Sequence, residues 1–375
     1  MSRAMTVQEC DQAVSELLPD LPRPEQKALA ALVSGVVLAQ DATLSRASAG
    51  IPGDAQERSK QRRAQRLLAN PRLDVPRAQR RLLARVLQGR RGRLDLLLDA
   101  TTTGATAHQA GTVTLVLALG WHGRALPLVW RSWTADEPGQ AWSGAIQEML
   151  AMVQALLPPD VQVLLLADRG LSGAPLAHAA QARGWHYLLR VQYRTCVCHP
   201  DGTVQSLAQV VPTPGTQCLL TDVHLWKKGH SSWATTPRAN VVAVWRAVDR
   251  EPWLLVTDLP ASLCRCTDYR HRTWEEELFR DLKSFGWQWQ RSRVRQPARV
   301  ERLLLVLALA TLWIAALAQR VLKRGWRPLL EERSRRCYST FHLGLRWLTR
   351  LLTNEQHVPC LLHLWAEKAA PLKLS

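Results

Sequence analysis

The amino-acid sequence predicts an α/β protein with a helical segment before its sheet, a β-rich insertion within it and further helices after it. Three features carry that reading. Two apolar runs of strand length each end in an aspartate, LLLD at Leu96–Asp99 and LLLAD at Leu164–Asp168. Stretches with Leu and Val at helical spacing lie on both sides of this region. Between residues 192 and 260, short alternating runs are punctuated by Pro, Gly and Thr, the texture of strands joined by tight turns.

Taken in order, residues 1–90 are expected to form a basic helical domain. Glu25 to Gln40 carries apolar residues at three- and four-residue intervals, and Glu57 to Leu68 bears Arg58, Lys60, Arg62, Arg63 and Arg66. After a turn at Asn70-Pro71 comes a third helix, Arg77 to Leu87, with Arg80, Arg81 and Arg85; Pro71 and Pro76 are read as helix breakers around it. Residues 91–320 form the α/β domain. Leu94 to Leu98 is a short strand ending in Asp99, and Val113 to Leu119 and Ala125 to Trp130 complete a meander through a turn at His122-Gly123. A helix from Ala141 to Leu156 precedes Val161 to Ala167, whose unbroken apolar character suits a strand buried on both faces and ending in Asp168. A helix from Ala174 to Arg183 and a strand from His186 to Val191 close the unit. The insertion occupies about 192–262, with strands at Gln217 to Leu225, Asn240 to Ala247 and Trp253 to Thr257. Helical signal resumes near Thr267, and residues 321–375 are expected to be a C-terminal helical region.

Composition narrows the partner. Lys and Arg number 49 against 31 Asp and Glu, a net charge of +18 spread along a folded chain. Such an excess favours a polyanion, because neutralising phosphates releases counterions from nucleic acid. The basic helices of the first 90 residues are the natural grip, since few acidic side chains accompany them. A few of the 16 Trp could stack on unpaired bases, although most will be packing residues. Met1 to Ala30 has early acidic residues and no long apolar stretch, so no signal peptide is expected and the eight cysteines are expected as free thiols in the cytosol. Cys196/Cys198 and Cys264/Cys266, with His199 nearby, are too closely spaced for the usual zinc knuckle. Leu303 to Ala318 is largely apolar but shorter than the ~20 residues of a membrane span, and it is expected as a buried core helix rather than a membrane segment.

The chemistry is expected from carboxylates. Groups that act in α/β sheets gather at the carboxyl ends of strands. Asp99 and Asp168 follow two strands, and paired carboxylates there repel unless a cation such as Mg²⁺ or Mn²⁺ lies between them. Each could equally cap the turn that follows its strand. Tyr269 to Lys283 adds a third acid: at ~100° per residue of helix, Tyr269, Arg272, Glu276 and Lys283 fall within an arc of roughly 60°. Glu275 and Glu277 point elsewhere on such a helix, and Trp274, Leu278 and Leu282 suit core packing.

These residues resemble a known family. Tyr269, Arg272, Glu276 and Lys283, separated by two, three and six residues, match the Tyr-Arg-Glu-Lys signature of the fourth insertion-sequence family of DDE transposases. Leu98-Asp99-Ala100-Thr101 resembles that family's first Asp motif and Asp168-Arg169-Gly170 its second. The resemblance covers roughly Leu67 to Trp313. It implies a ribonuclease H-like mixed sheet and catalytic Asp99, Asp168 and Glu276 holding two Mg²⁺ ions, with Mn²⁺ as substitute. It further implies DNA contacts from Tyr269, Arg272 and Lys283. Trp253, in a Trp-Leu-Leu-Val-Thr string like the family's, is either a core residue or a base-stacking one. The implied activity is cut-and-paste transposition on double-stranded DNA with terminal inverted repeats, followed by joining to target DNA. A homodimer across paired ends and a cytoplasmic, nucleoid-associated location go with it. The rival readings are a transposase-derived repressor without catalysis and a ribonuclease H-like nuclease without transposition.

Overall fold

A computed structural model describes residues 2–105, 110–136, 140–228, 230–332 and 335–364. The chain opens with five helices: α1 (Ser2–Leu17), α2 (Arg23–Ala39), α3 (Leu44–Ala49), α4 (Glu57–Ala69) and α5 (Val75–Leu87). Three of them are the anticipated ones. Pro76 lies in the first turn of α5, where a missing N–H leaves no bond unmade, so it starts the helix rather than breaking it. The Asp74 side chain caps that helix by accepting the Arg77 N–H at 3.0 Å.

Three antiparallel strands follow: β1 (Gly92–Thr103), β2 (Thr112–Trp121) and β3 (Arg124–Thr134). The chain then passes through α6 (Gln140–Gln154) to β4 (Val161–Ala167), and through α7 (Ala174–Gln181) to β5 (His186–Arg190). β4 lies parallel to β1, and β5 parallel to β4. An antiparallel meander continued by parallel strands through helical crossovers is the ribonuclease H-like arrangement.

The insertion contributes β6 (Cys196–Cys198), β7 (Val204–Ser206), the short α8 (Leu207–Val210), β8 (Gln217–Leu225), β9 (Arg238–Val244) and β10 (Trp253–Thr257). These strands do not form a body apart. β10 runs antiparallel to β5, so among the described residues one ten-stranded mixed sheet results, in the order β3-β2-β1-β4-β5-β10-β9-β8-β6-β7.

The remaining helices are α9 (Cys264–Tyr269), α10 (Thr273–Arg280), α11 (Pro297–Lys323) and α12 (Thr340–Thr353). The C-terminal region is less helical than expected after Thr353, and residues 365–375 lie outside those described. The apolar stretch Leu303–Ala318 forms the middle of α11, where every residue is buried. α11 is long and apolar enough to cross a membrane, yet 89% of its most apolar window is inside the protein. It packs on β3, on α12 and on α2, α4 and α5. Two polar groups inside it are paired: Trp313 Nε1 donates to Pro359 O at 2.8 Å, and Thr311 Oγ1 accepts from Trp287 Nε1 at 2.9 Å.

Candidate active site

Parallel pairing of β1 with β4 stops at Leu98 opposite Ala167. Asp99 and Asp168 are therefore the next residue on each of two adjacent strands, which fixes them side by side. The sequence reading ended β1 at Asp99, whereas the strand continues to Thr103 because β2 still pairs with it, as far as Thr112. Asp168 instead opens a turn: its carbonyl accepts the N–H groups of Leu171 and Ser172, and its Oδ1 accepts the Gly170 N–H at 2.8 Å. A Cβ on Gly170 would sit 3.2 Å from that same oxygen, which accounts for the glycine in Asp-Arg-Gly. Asp99 Oδ1 accepts the Ala100 N–H at 2.8 Å.

The third carboxylate arrives on a broken helix. Tyr269 ends α9, Arg270–Arg272 form one 3₁₀ turn, α10 carries Glu276, and Asp281–Phe285 form a π turn containing Lys283. Arg272 is the meeting point. Its Nη2 lies 2.6 Å from Asp99 Oδ2 and 3.4 Å from Asp168 Oδ2, and its Nη1 contacts Glu276 Oε1. The two aspartate oxygens are thus no farther apart than the sum of those two distances. Three acids far apart in the chain converge on one guanidinium.

Each of the other expected residues has a definite place. Lys283 reaches the far end of β1, donating from Nζ to Thr102 O at 3.0 Å. Burial lowers its pKa, with Asp99 pulling the other way. Tyr269 faces inward: it is buried, its hydroxyl lies 3.5 Å from Ala167 O, and burial raises its pKa. The 3₁₀ turn after it changes the rotation, so Tyr269 does not share the open face with Glu276. Trp253 on β10 is half-buried, edge-on to Tyr269 at 5.6 Å, with the Arg246 guanidinium 5.3 Å from its ring.

Glu275 points away from the open face that carries Glu276, and it points into the interior: it is fully buried, and neither carboxylate oxygen makes a side-chain hydrogen bond. Burial raises its pKa well above the usual range, and Asp99 raises it further while Arg272 opposes. Asp99 itself is pushed up to about 6, first by burial and also by Asp168 and Glu276, against the pull of Arg272. A buried unpaired carboxyl leaves no periodic signal in a run of three glutamates. A supporting network escaped the sequence reading as well. Asp95 accepts from Arg93 Nε and pairs with His271 Nδ1, each at 2.5 Å, and Arg93 also binds Asp268 at 2.5 Å. His271 stacks on Trp274 with ring centroids 4.1 Å apart. The turn that aims Arg272 is thereby pinned to β1.

Among the described residues, no group of three His, Cys, Asp or Glu is arranged as it stands to hold one ion. The donor chemistry nevertheless suits a divalent metal. Three carboxylates with hard oxygen donors meet one guanidinium, and the Asp99 carboxyl, raised first by burial, is raised further by its acidic neighbours Asp168 and Glu276.

No curated protein matches the sequence. Residues 90–313 match the family described as the transposase DDE domain, a span that runs from just before β1 into α11.

Proposed function

The chain belongs to the transposase DDE-domain family, and from that premise we propose that it moves an insertion sequence by cut-and-paste transposition, with Asp99, Asp168 and Glu276 as its catalytic carboxylates. Membership makes the protein a transposase, a nuclease and strand transferase acting on DNA. The observation that carries the finer reading is the convergence of those three acids on Arg272. The Tyr-Arg-Glu-Lys spacing supports placement in the fourth insertion-sequence family.

In this reading Asp99, Asp168 and Glu276 hold two Mg²⁺ ions, replaceable by Mn²⁺. When bound, such ions activate a water or DNA 3′-hydroxyl and stabilise the leaving 3′-oxygen. The protein's own groups do the rest. Arg272 balances the carboxylates in the free protein and turns toward a phosphate when DNA arrives, its fork suited to two phosphate oxygens. Lys283, beside the end of β1, adds a point charge to the same backbone. Tyr269 acts through Trp253, holding the indole at the edge of the site where a displaced base could stack. The helices of residues 1–90 read the terminal inverted repeats, residues 91–320 cut and join, and residues 321–375 help pair two protomers. The protein works on the nucleoid in the cytoplasm.

The test is nicking and joining of plasmid DNA carrying candidate inverted repeats with Mg²⁺ or Mn²⁺. Asp99→Ala, Asp168→Ala and Glu276→Gln are each expected to abolish cleavage while leaving repeat binding intact. Cleavage that survives Asp99→Ala refutes the carboxylate assignment. Binding without cleavage by the wild-type protein points to a repressor, and cleavage without covalently joined products to a plain nuclease.

A further inference from the structure

A cleft of about 850 Å³ lies away from the carboxylates, between α4 and the chain entering α11. Arg62 and Arg66 line one wall, and Arg293, Arg295 and Arg299 the other. All five are exposed, and no carboxylate is among the described residues lining the cleft. Like charges gathered on a concave surface repel one another, so such a surface is stabilised by a polyanion. Every cation here is arginine, whose planar fork matches phosphate oxygens in pairs. Arg293 holds a left-handed backbone, with φ of 56°, that glycine would adopt more easily.

The cleft is joined to the catalytic strand. Arg302 donates to Leu68 O at 3.1 Å, tying α11 to the end of α4. On the other side, Thr112 Oγ1 donates to Arg295 O, and Thr112 pairs with Thr103 at the end of β1. Gly104 follows, with φ of 72°, and a Cβ there would come within 3.0 Å of Arg295 Cγ. Asp99 and Gly104 are five residues apart along extended chain, a reach of about 17 Å. Duplex DNA rises ~3.4 Å per base pair, so about five base pairs span that distance.

We propose that this cleft grips the phosphate backbone of double-stranded DNA, its near edge about five base pairs from the bond cut beside Asp99. The proposal rests on the nuclease reading for the position of the cut, but not for the binding itself. Because the walls come from α4 and from the approach to α11, one contact fixes the N-terminal helices and the catalytic strand on the same stretch of duplex.

The test compares Arg62→Gln/Arg66→Gln and Arg293→Gln/Arg299→Gln with Arg58→Gln/Arg63→Gln, which removes equal charge from α4 outside the cleft. Affinity for a fluorescent duplex of arbitrary sequence, and for its single strand, is measured across a salt series. Either cleft pair is expected to make the log–log salt slope for duplex shallower by about 2, and the control pair by clearly less. Equal losses in all three variants overturn the proposal, as does a loss confined to the single strand. Thermal unfolding checks that each variant remains folded, and having one pair on each wall keeps the test decisive if one fails. Plasmid nicking with Mn²⁺ is scored in parallel. Cleft-dependent binding without nicking by the wild type defeats the nuclease reading alone; nicking with cleft-independent binding defeats this inference alone.

Discussion

Arg272 and Glu275 divide the electrostatics of the site between them. Arg272 neutralises acids that would otherwise repel, whereas Glu275 buries a carboxyl whose burial outweighs the help it has from Arg272 and the Asp99 backbone. Its folded pKa is raised by burial above the ordinary glutamate value. The folded state therefore holds a proton that the unfolded chain releases, and stability falls as pH climbs above that ordinary value. The slope is at most ~1.4 kcal/mol per pH unit for one proton. Glu275→Gln removes it. The variant should match the wild type near pH 4 and be more stable at pH 8 by about 1 kcal/mol or more, read from urea unfolding at the two pH values. A variant destabilised equally at both would show that the Glu275 pKa is not raised by folding. Asp281, raised to about 7 by burial against the pull of Arg124, adds a similar slope to both proteins and cancels in the comparison. For Asp99, pushed up to about 6, metal binding must displace a proton in more acidic solution. Mn²⁺ affinity, followed by the paramagnetic signal of the free ion, should strengthen up to tenfold per pH unit below about 6 and level off above it. An affinity flat from pH 5 to 7 would contradict this.

At the scale of elements, local pattern was legible where one period held and failed where the period changed. β8 and β10 run over Gln217–Leu225 and Trp253–Thr257, as their alternation and turn residues predict. Asp99 and Asp168 were legible as a pair because each follows a buried-type strand, and parallel pairing of β1 with β4 makes them neighbours. The stretch Tyr269 to Lys283 was legible only in composition. A uniform ~100° rotation cannot describe a chain that passes from α to 3₁₀ to α to π, which is why Tyr269 is buried rather than on the open face with Glu276. Nor does α1 announce itself, since its apolar residues are too sparse to mark a face. Contacts between distant helices leave no local trace either. Gly344 on α12 is one: a Cβ there would fall 2.3 Å from Ile314 O on α11. Backbone cannot yield as a side chain does, so Gly344→Ala must push the two helices apart. A loss of roughly 1–3 kcal/mol is expected in denaturant unfolding, with the lowered midpoint as the readout. An unchanged midpoint would mean that the helices are not held this closely.

Across the whole molecule, α11 decides how independent the parts are. The sequence reading treats residues 1–90 as a domain of their own, joined to the catalytic part by a change of texture at Arg93. In the structure α2, α4 and α5 pack directly on α11, and α5 also on β3. Leu29, Val33, Val36 and Val37 of α2 and Leu82 and Leu83 of α5 belong to the same buried cluster as the α11 leucines and the sheet. Gln79 on α5 donates from Nε2 to Trp130 O on β3 at 3.1 Å, a buried bond across the same junction. Stripping away the N-terminal helices would open one side of a helix whose middle is apolar on every face, and apolar surface of that extent drives association. Calorimetry of the whole chain is therefore expected to show a single cooperative transition. A fragment beginning at Arg91 is expected to aggregate or to lose near-ultraviolet ellipticity from the buried Trp130 and Trp313. Two resolved transitions, or a soluble fragment with native ellipticity that still nicks DNA, would favour residues 1–90 as a domain of their own. That outcome would also separate DNA gripping from cutting. A shared core makes the opposite demand: α4 and the sheet rest on one helix, α11, which packs on both α4 and β3.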